Sequence, residues 1–359
     1  MTHPTVVARR FPRPARHRLP SPSDLAVERP VAGLVDDLLE LAIVPSFSRL
    51  GPAIRRRLFA WSDPTPGTLT GRTVVVTGPT SGLGRETAYR LAELGARIVL
   101  VGRDPAKLQA LGDDLRRVHG EDRFPAVVAD LSSLGSIHDA VARIRSDEPR
   151  IDVLIDNAGA MTTTRTTTPD GLETTFATMV VGPFALVAGL LPTLRATPGS
   201  RVIAVTSGGQ YAQALDLDDL QWTATPFDGT RAYARAKRAQ VCLVREWTRR
   251  LPRGAVTFVA MHPGWADTPG LEASLPGFRR RMRPLLRTPR EGADTTVWLA
   301  AASSRAIRAG RLYLDRRPRP FDRVPWTRVT AADRRRLWDT VVDLAAIADP
   351  LPAAGRSAA

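Results

Sequence analysis

The sequence predicts an α/β fold, a doubly wound parallel sheet in a single domain with an N-terminal helical extension, and three observations carry that prediction. The β-branched run Thr73–Thr77 is short, apolar and bounded by Gly. A glycine-rich turn and a helical pattern follow it at once, ending at Gly95. Short apolar runs then alternate with amphipathic stretches, as strands buried on both faces of a sheet alternate with the helices that cover it.

Composition bounds the rest. An apolar fraction of 43% is ample for a core. The single Cys242 permits no intramolecular disulfide, so a reducing, cytoplasmic setting is expected. No uninterrupted apolar stretch is long enough to span a bilayer, and the Arg-rich start lacks the apolar core of a secretory signal, although a mitochondrial transit peptide also reads as Arg-rich and acid-poor. The formal charge of +15 raises the question of nucleic acid. Lys107 and Lys237 are the only lysines, however, and the arginines are spread along the chain, not gathered in one basic and aromatic stripe. No nucleic-acid partner is expected, and no residue is assigned to a metal.

Residues 1–30, rich in Pro and Arg, read as a disordered basic arm. Residues 31–69 read as an amphipathic helical extension. Val31, Leu34, Val35, Leu38, Leu39 and Ala42 fall on one helical face, Asp36, Asp37 and Glu40 fall on the other, and Pro45 ends the helix. A second helix carries Ile54, Leu58 and Trp61, with Arg55, Arg56 and Arg57 around them. Such helices either lie in a membrane interface, giving a peripheral membrane contact through residues 31–61, or pack on the main domain. That domain spans residues 70–316, and residues 317–359 form a C-terminal extension with one amphipathic helix around Ala331–Ala346.

Within the main domain, strand ends carry the chemistry. Gly78, Gly82 and Gly84 lack Cβ atoms, so the turn they form with Thr80, Ser81 and Leu83 lets a dinucleotide pyrophosphate reach the backbone and the helix N-terminus. The strand Arg97–Val101 ends in Gly102-Arg103, beside the adenosine ribose. There Gly leaves room and Arg103 grips a 2′-phosphate, which selects NADP(H) over NAD(H). The strand Pro125–Ala129 ends in Asp130-Leu131, with Asp130 placed to reach the adenine. Ile151–Ile155 ends in Asp156-Asn157-Ala158-Gly159, where small residues admit the cofactor and Asn157 ties the strand to its neighbour.

A helical stretch Leu172–Leu191 leads to the strand Arg201–Thr206, which ends in Ser207. In the helix Ala232–Leu251, Tyr233 and Lys237 share a face one turn apart. An ammonium there stabilises the phenolate and lowers the Tyr233 pKa, Lys237 also reaches the nicotinamide ribose, and Ser207 binds the substrate carbonyl oxygen.

Taken together, Thr77-Gly78-x-x-x-Gly82-x-Gly84, Asp130, Asn157-Ala158-Gly159, Ser207, Tyr233-x-x-x-Lys237 and Pro263-Gly264 resemble the short-chain dehydrogenase/reductase superfamily over about Thr70–Leu314. The resemblance implies a Rossmann-type sheet, NADP(H), and interconversion of an alcohol and a carbonyl with Tyr233 as general acid/base. It also implies that Pro263, Gly264 and Thr268 meet the nicotinamide end, that His262 is structural, and that a homodimer pairs through the helices Leu172–Leu191 and Ala232–Leu251. One residue departs from the pattern. Met179 stands where most relatives carry an Asn that holds a relay water, and a thioether donates no hydrogen bond. Reduced turnover is therefore expected, and a cofactor-binding sensor or membrane-associated partner is the alternative.

By the same resemblance Gly264–Arg290 forms the lid. Leu271, Leu275, Phe278, Met282, Leu285 and Leu286 line it among arginines, which suits a lipophilic carbonyl or alcohol, lipid-, retinoid- or steroid-like. A helix in Glu291–Ala302 and a last strand near Gly310–Leu314 are expected to finish the sheet.

Overall fold

The computed structural model describes residues 30–120 and 122–352, so the basic arm falls outside the described residues except for Pro30. Three helices open the described chain: α1 (Pro30–Leu41), α2 (Ile43–Phe47) and α3 (Leu50–Leu58). The alternating part follows as β1 (Thr73–Thr77), α4 (Gly82–Glu93), β2 (Arg97–Gly102), α5 (Pro105–His119), β3 (Ala126–Val128), α6 (Leu134–Asp147) and β4 (Val153–Asp156). A short α7 (Thr174–Phe176) runs through a π-helical turn, Ala177–Val181, into α8 (Gly182–Ala196), then β5 (Arg201–Val205), α9 (Gly229–Arg250) and β6 (Thr257–Met261). The chain closes with α10 (Pro269–Ser274), α11 (Pro276–Met282), α12 (Pro289–Ala301), β7 (Leu312–Leu314), β8 (Arg317–Arg319) and α13 (Ala331–Leu344).

Among the described residues the sheet has eight strands in the order β3-β2-β1-β4-β5-β6-β7-β8. Neighbours from β3 to β7 are parallel, and helices cover both faces. Strand order reverses between β1 and β4, so the crevice at their carboxyl ends is where such sheets bind ligands. Two strands differ from the sequence reading. β6, not anticipated as an element, pairs with β5 from Arg201↔Thr257 to Val205↔Met261. The sheet does not finish at β7: β8 pairs antiparallel with it, Leu312 opposite Arg319, so the sheet runs past the boundary at residue 316.

The N-terminal helices pack against the domain, with the reverse of the expected polarity. Asp36 is buried and accepts from Arg55 at 2.6 Å and from Arg319 at 2.9 and 3.0 Å. Glu40 accepts from Arg55 at 2.9 Å and also pairs with Arg323. Burial pushes the Asp36 carboxyl up, but Arg319 and Arg55 outweigh it and hold the carboxyl below its ordinary value. Arg55 continues to Asp315 at 2.6 Å, and Asp315 binds Arg287 at 2.6 Å, so one buried ionic network joins α1, α3, the lid's far end and the β7–β8 turn. Of the expected apolar face only Leu39 is buried; Val31, Leu34, Val35, Leu38 and Ala42 are exposed. Pro45 does not end α1, which stops at Leu41; Pro45 lies inside α2.

The run Thr174–Ala196 is long and apolar enough to cross a membrane by length and composition, which the sequence reading overlooked, yet 72% of its most apolar window is buried in this fold. Part of the cover comes from α13. Trp338 is fully buried, its ring 4.9 Å from Phe184 of α8 and 4.6 Å from Trp247 of α9. α13 thus packs on α9 and the π-turn, with one aromatic contact to α8.

Candidate active site

The glycine turn joins β1 to α4 in a conformation that its residues dictate. Gly78 and Gly82 have φ of +63° and +52°, the left-handed region that side chains disfavour. A Cβ on Gly84 would fall 2.1 Å from the Gly78 carbonyl oxygen and 2.4 Å from Asn157 Nδ2. Asn157 locks this arrangement by donating to the carbonyls of Thr77 and Gly78 at 2.9 and 3.1 Å. The Thr77 hydroxyl in turn accepts from the amides of Asn157 and Ala158 at 3.0 Å. The turn is therefore a cradle with no side chain in its floor, one that fits a pyrophosphate at the start of α4.

Thr268 caps α10, and its side chain lies 3.5 Å from where a Gly82 Cβ would stand, so the lid's first helix begins against the cradle. Leu83 faces the other way, toward Gly292 of α12. Arg103 follows β2, exposed and with no carboxylate partner among the described residues. A cleft of about 360 Å³ opens beside the turn, lined by Thr80, Arg85 and Lys107 among others. Asp130 spends its Oδ1 on the Ser132 amide and hydroxyl, at 2.9 and 2.7 Å, and the adjoining Leu131 is buried.

Ser207, Tyr233 and Lys237 meet at the carboxyl end of β5. Ser207 caps the 3-10 turn Gly208–Tyr211, its hydroxyl accepting from the Gly209 amide at 3.2 Å, and it stands close enough to the Tyr233 phenol to pull the Tyr233 pKa down. Lys237 Nζ donates to the Val205 carbonyl at 2.9 Å and stands 5.7 Å from the Tyr233 ring centroid. The electrostatics differ from the sequence reading. Burial raises the Tyr233 pKa above its ordinary value, and the lowering comes from Ser207, without a contribution from Lys237 large enough to reverse it. Burial also lowers the Lys237 ammonium to about 8, against the opposing pull of Asp156.

Behind Lys237 lies a group that sequence reasoning missed. Gln240, one turn along α9, donates to Asp156 at 3.0 Å and to the Met179 carbonyl at 2.8 Å. Asp156 is raised to about 7 by burial, with Lys237, Gln240 and Thr77 pulling it down. Met179 lies in the π-turn, fully buried. Its sulfur and Lys237 Nζ both border Gly159, 3.2 and 3.4 Å from where a Cβ would stand there. The signal was present: Gln240 lies three residues past Lys237 on the same helical face.

His262 is fully buried beside Phe47, ring centroids 4.8 Å apart, and burial together with Arg287 and other arginines drives its pKa well below the ordinary value. Gly264, at φ +71°, lies against Phe47 and Arg287, and the bridge Ala266↔Arg287 closes the base of the lid. Arg287 is thus part of the buried network and not one of the exposed arginines around the lid.

A glycine cradle, a strand-end Ser and a Tyr–Lys pair on one helix define an oxidoreductase site of short-chain type. The short chain dehydrogenase family model matches residues 72–276, and the chain belongs to that family. Among named relatives, it is 42% identical over 249 residues to human dehydrogenase/reductase SDR family member 12, covering 69% of this chain and 78% of that one. It is 34% identical over 284 residues to human retinol dehydrogenase 13, covering 77% and 86%. The solved structure of L-sorbose reductase from Gluconobacter frateurii, complexed with NADPH and L-sorbose, shares the fold with a TM-score of 0.58 and 21% identity, covering 70% of this chain and 96% of that one.

Proposed function

We propose that the protein is an NADP(H)-dependent oxidoreductase that interconverts an alcohol and a carbonyl on a hydrophobic small molecule. The observation that carries this reading is the Ser207–Tyr233–Lys237 constellation at the same sheet end as the glycine cradle. Arg103, unpaired beyond β2, supports the preference for a 2′-phosphate, and the NADPH held by L-sorbose reductase is consistent with it. The apolar lid residues support a lipophilic substrate, as does the retinol dehydrogenase relative.

The cofactor supplies or accepts the hydride. Gly78, Gly82 and Gly84 would hold its pyrophosphate, and Lys237 and Thr268 would meet its nicotinamide end. In reduction, the Tyr233 hydroxyl gives its proton to the carbonyl oxygen that Ser207 orients, and Lys237 stabilises the phenolate left behind. In oxidation the phenolate takes the proton back. A raised Tyr233 pKa keeps the phenol protonated, as a proton donor to the carbonyl oxygen must be.

A second reading rests on Met179. With a thioether bordering Lys237, the protein binds cofactor but turns over slowly, as a sensor or a partner protein. NADPH oxidation against lipophilic aldehydes, ketones and quinones, run beside Tyr233→Phe and Met179→Asn, separates the two. Turnover lost in Tyr233→Phe supports the enzyme; NADPH binding without turnover, restored in Met179→Asn, supports the sensor.

A further inference from the structure

The inverted α1 leaves an apolar stripe facing solvent. Val31, Leu34, Leu38 and Leu41, spaced to fall on one side of the helix, are 70%, 61%, 58% and 79% exposed. Ile43 and Val44 of α2 are exposed as well, and α2 and α3 pack together with α1. A concentrated apolar patch of this kind with a polar rim marks an interaction surface.

Cationic side chains lie on the segments around it, although α1 itself carries the exposed Asp37 beside the stripe. Arg49 lies in the turn between α2 and α3, Arg57 on α3, and Arg280, Arg281 and Arg283 in the neighbouring lid. All five are exposed, and none has a carboxylate partner among the described residues, whereas the buried Arg55, Arg287, Arg316 and Arg319 each do. Patch and lid are joined. The Arg49 amide donates to the Leu285 carbonyl at 2.9 Å, and the Phe47 ring packs 5.8 Å from Trp265, which packs 5.3 Å from Phe278 of α11.

We propose that this face is a docking surface for an anionic lipid bilayer. The apolar stripe of α1 enters the boundary between headgroups and acyl chains while the unpaired arginines meet lipid phosphates and carboxylates. Charge selects this occupant over a second copy of the chain, because two such rims would face each other with like sign on a molecule of net charge +15. The docking is independent of the chemistry under Proposed function. That the lid then opens on the lipid surface, where hydrophobic substrates reside, does rest on that reading.

The test is flotation of the full chain with phosphatidylcholine vesicles, with and without phosphatidylserine, at low and raised NaCl. Binding to the anionic vesicles is expected to fall as salt rises, and to drop at least ten-fold in Leu34→Asp/Leu38→Asp. Both changes lie at exposed positions, so circular dichroism and NADPH affinity should match the wild type. Arg280→Glu/Arg281→Glu/Arg283→Glu is expected to weaken binding to the anionic vesicles selectively. The proposal is overturned if neither vesicle is bound, or if Leu34→Asp/Leu38→Asp binds as the wild type does. It is overturned too if light scattering without lipid gives a dimer that the same double variant dissociates. Loss of NADPH turnover with vesicle binding intact would count against the enzyme reading alone.

Discussion

The side-chain amide of Gln240 donates to the main-chain carbonyl of Met179 at 2.8 Å, and so satisfies an acceptor inside the π-turn from the helix that carries Tyr233 and Lys237. The same amide nitrogen holds Asp156 at 3.0 Å. Gln240→Leu would strand two buried acceptors at once, each costing about 1–3 kcal/mol. Urea denaturation should show a loss of that order, and kcat should fall further than NADPH affinity because Lys237 loses its support. An unchanged midpoint would show that the contact carries no weight.

Asp156 and Lys237 set a pH dependence whose sign can be worked out. The folded-state pKa of Asp156 is raised from 3.8 to about 7, so the native state binds the extra proton, and stability falls as pH climbs between those values. Lys237 is lowered from 10.5 to about 8, so the unfolded state binds the extra proton, and stability rises between pH 8 and 10.5. Asp156→Asn should abolish the first slope. It should also lower the Lys237 pKa further, because Asp156 is the group that opposes its downward shift, and a pH titration of Lys237 would register this as a move to lower pH.

Arg103→Glu should reverse cofactor preference. Losing one charge-assisted contact to a 2′-phosphate costs about 1.5–3 kcal/mol, roughly ten- to a hundred-fold in NADPH affinity, while a carboxylate there favours the free ribose hydroxyls of NADH. Fluorescence titration with both cofactors measures the ratio; equal losses for the two would remove Arg103 from the cofactor site.

Asp36→Ala leaves Arg55 and Arg319 with a buried charge uncompensated on one side, and breaking such a pair typically costs about 3–5 kcal/mol. Because Arg55 also binds Asp315, and Asp315 binds Arg287 at the lid base, the effect should reach the lid. Hydrogen exchange should speed up both in α1–α3 and near Trp265.

Most of the alternation was legible in the sequence because β1, β2, β4 and β5 are apolar runs ended by polar or small residues, a local signal. Tyr233 and Lys237 were legible for the same reason, being one turn apart in a strongly helical stretch. β8 was not. Arg-Pro-Arg has no strand propensity, and only pairing with β7 and the carboxylates of α1 make Arg319 a buried strand residue. The orientation of α1 was hidden likewise. Its apolar spacing is real, but arginines far along the chain, at 317, 319 and 323, turn Asp36 and Glu40 inward and leave Asp37 exposed. Gln240 escaped notice because an amide acquires meaning only from the acceptors placed around it.

Trp338, wedged between Phe184 and Trp247, fastens α13 to the middle of the domain, so the C-terminal helix and the helix that carries Tyr233 and Lys237 share one aromatic cluster. Peeling away the last helix would expose three large aromatic rings. Proteolytic trimming of that segment would bare an apolar aromatic surface on the back of the catalytic helix, and solubility would fail before the chemistry did.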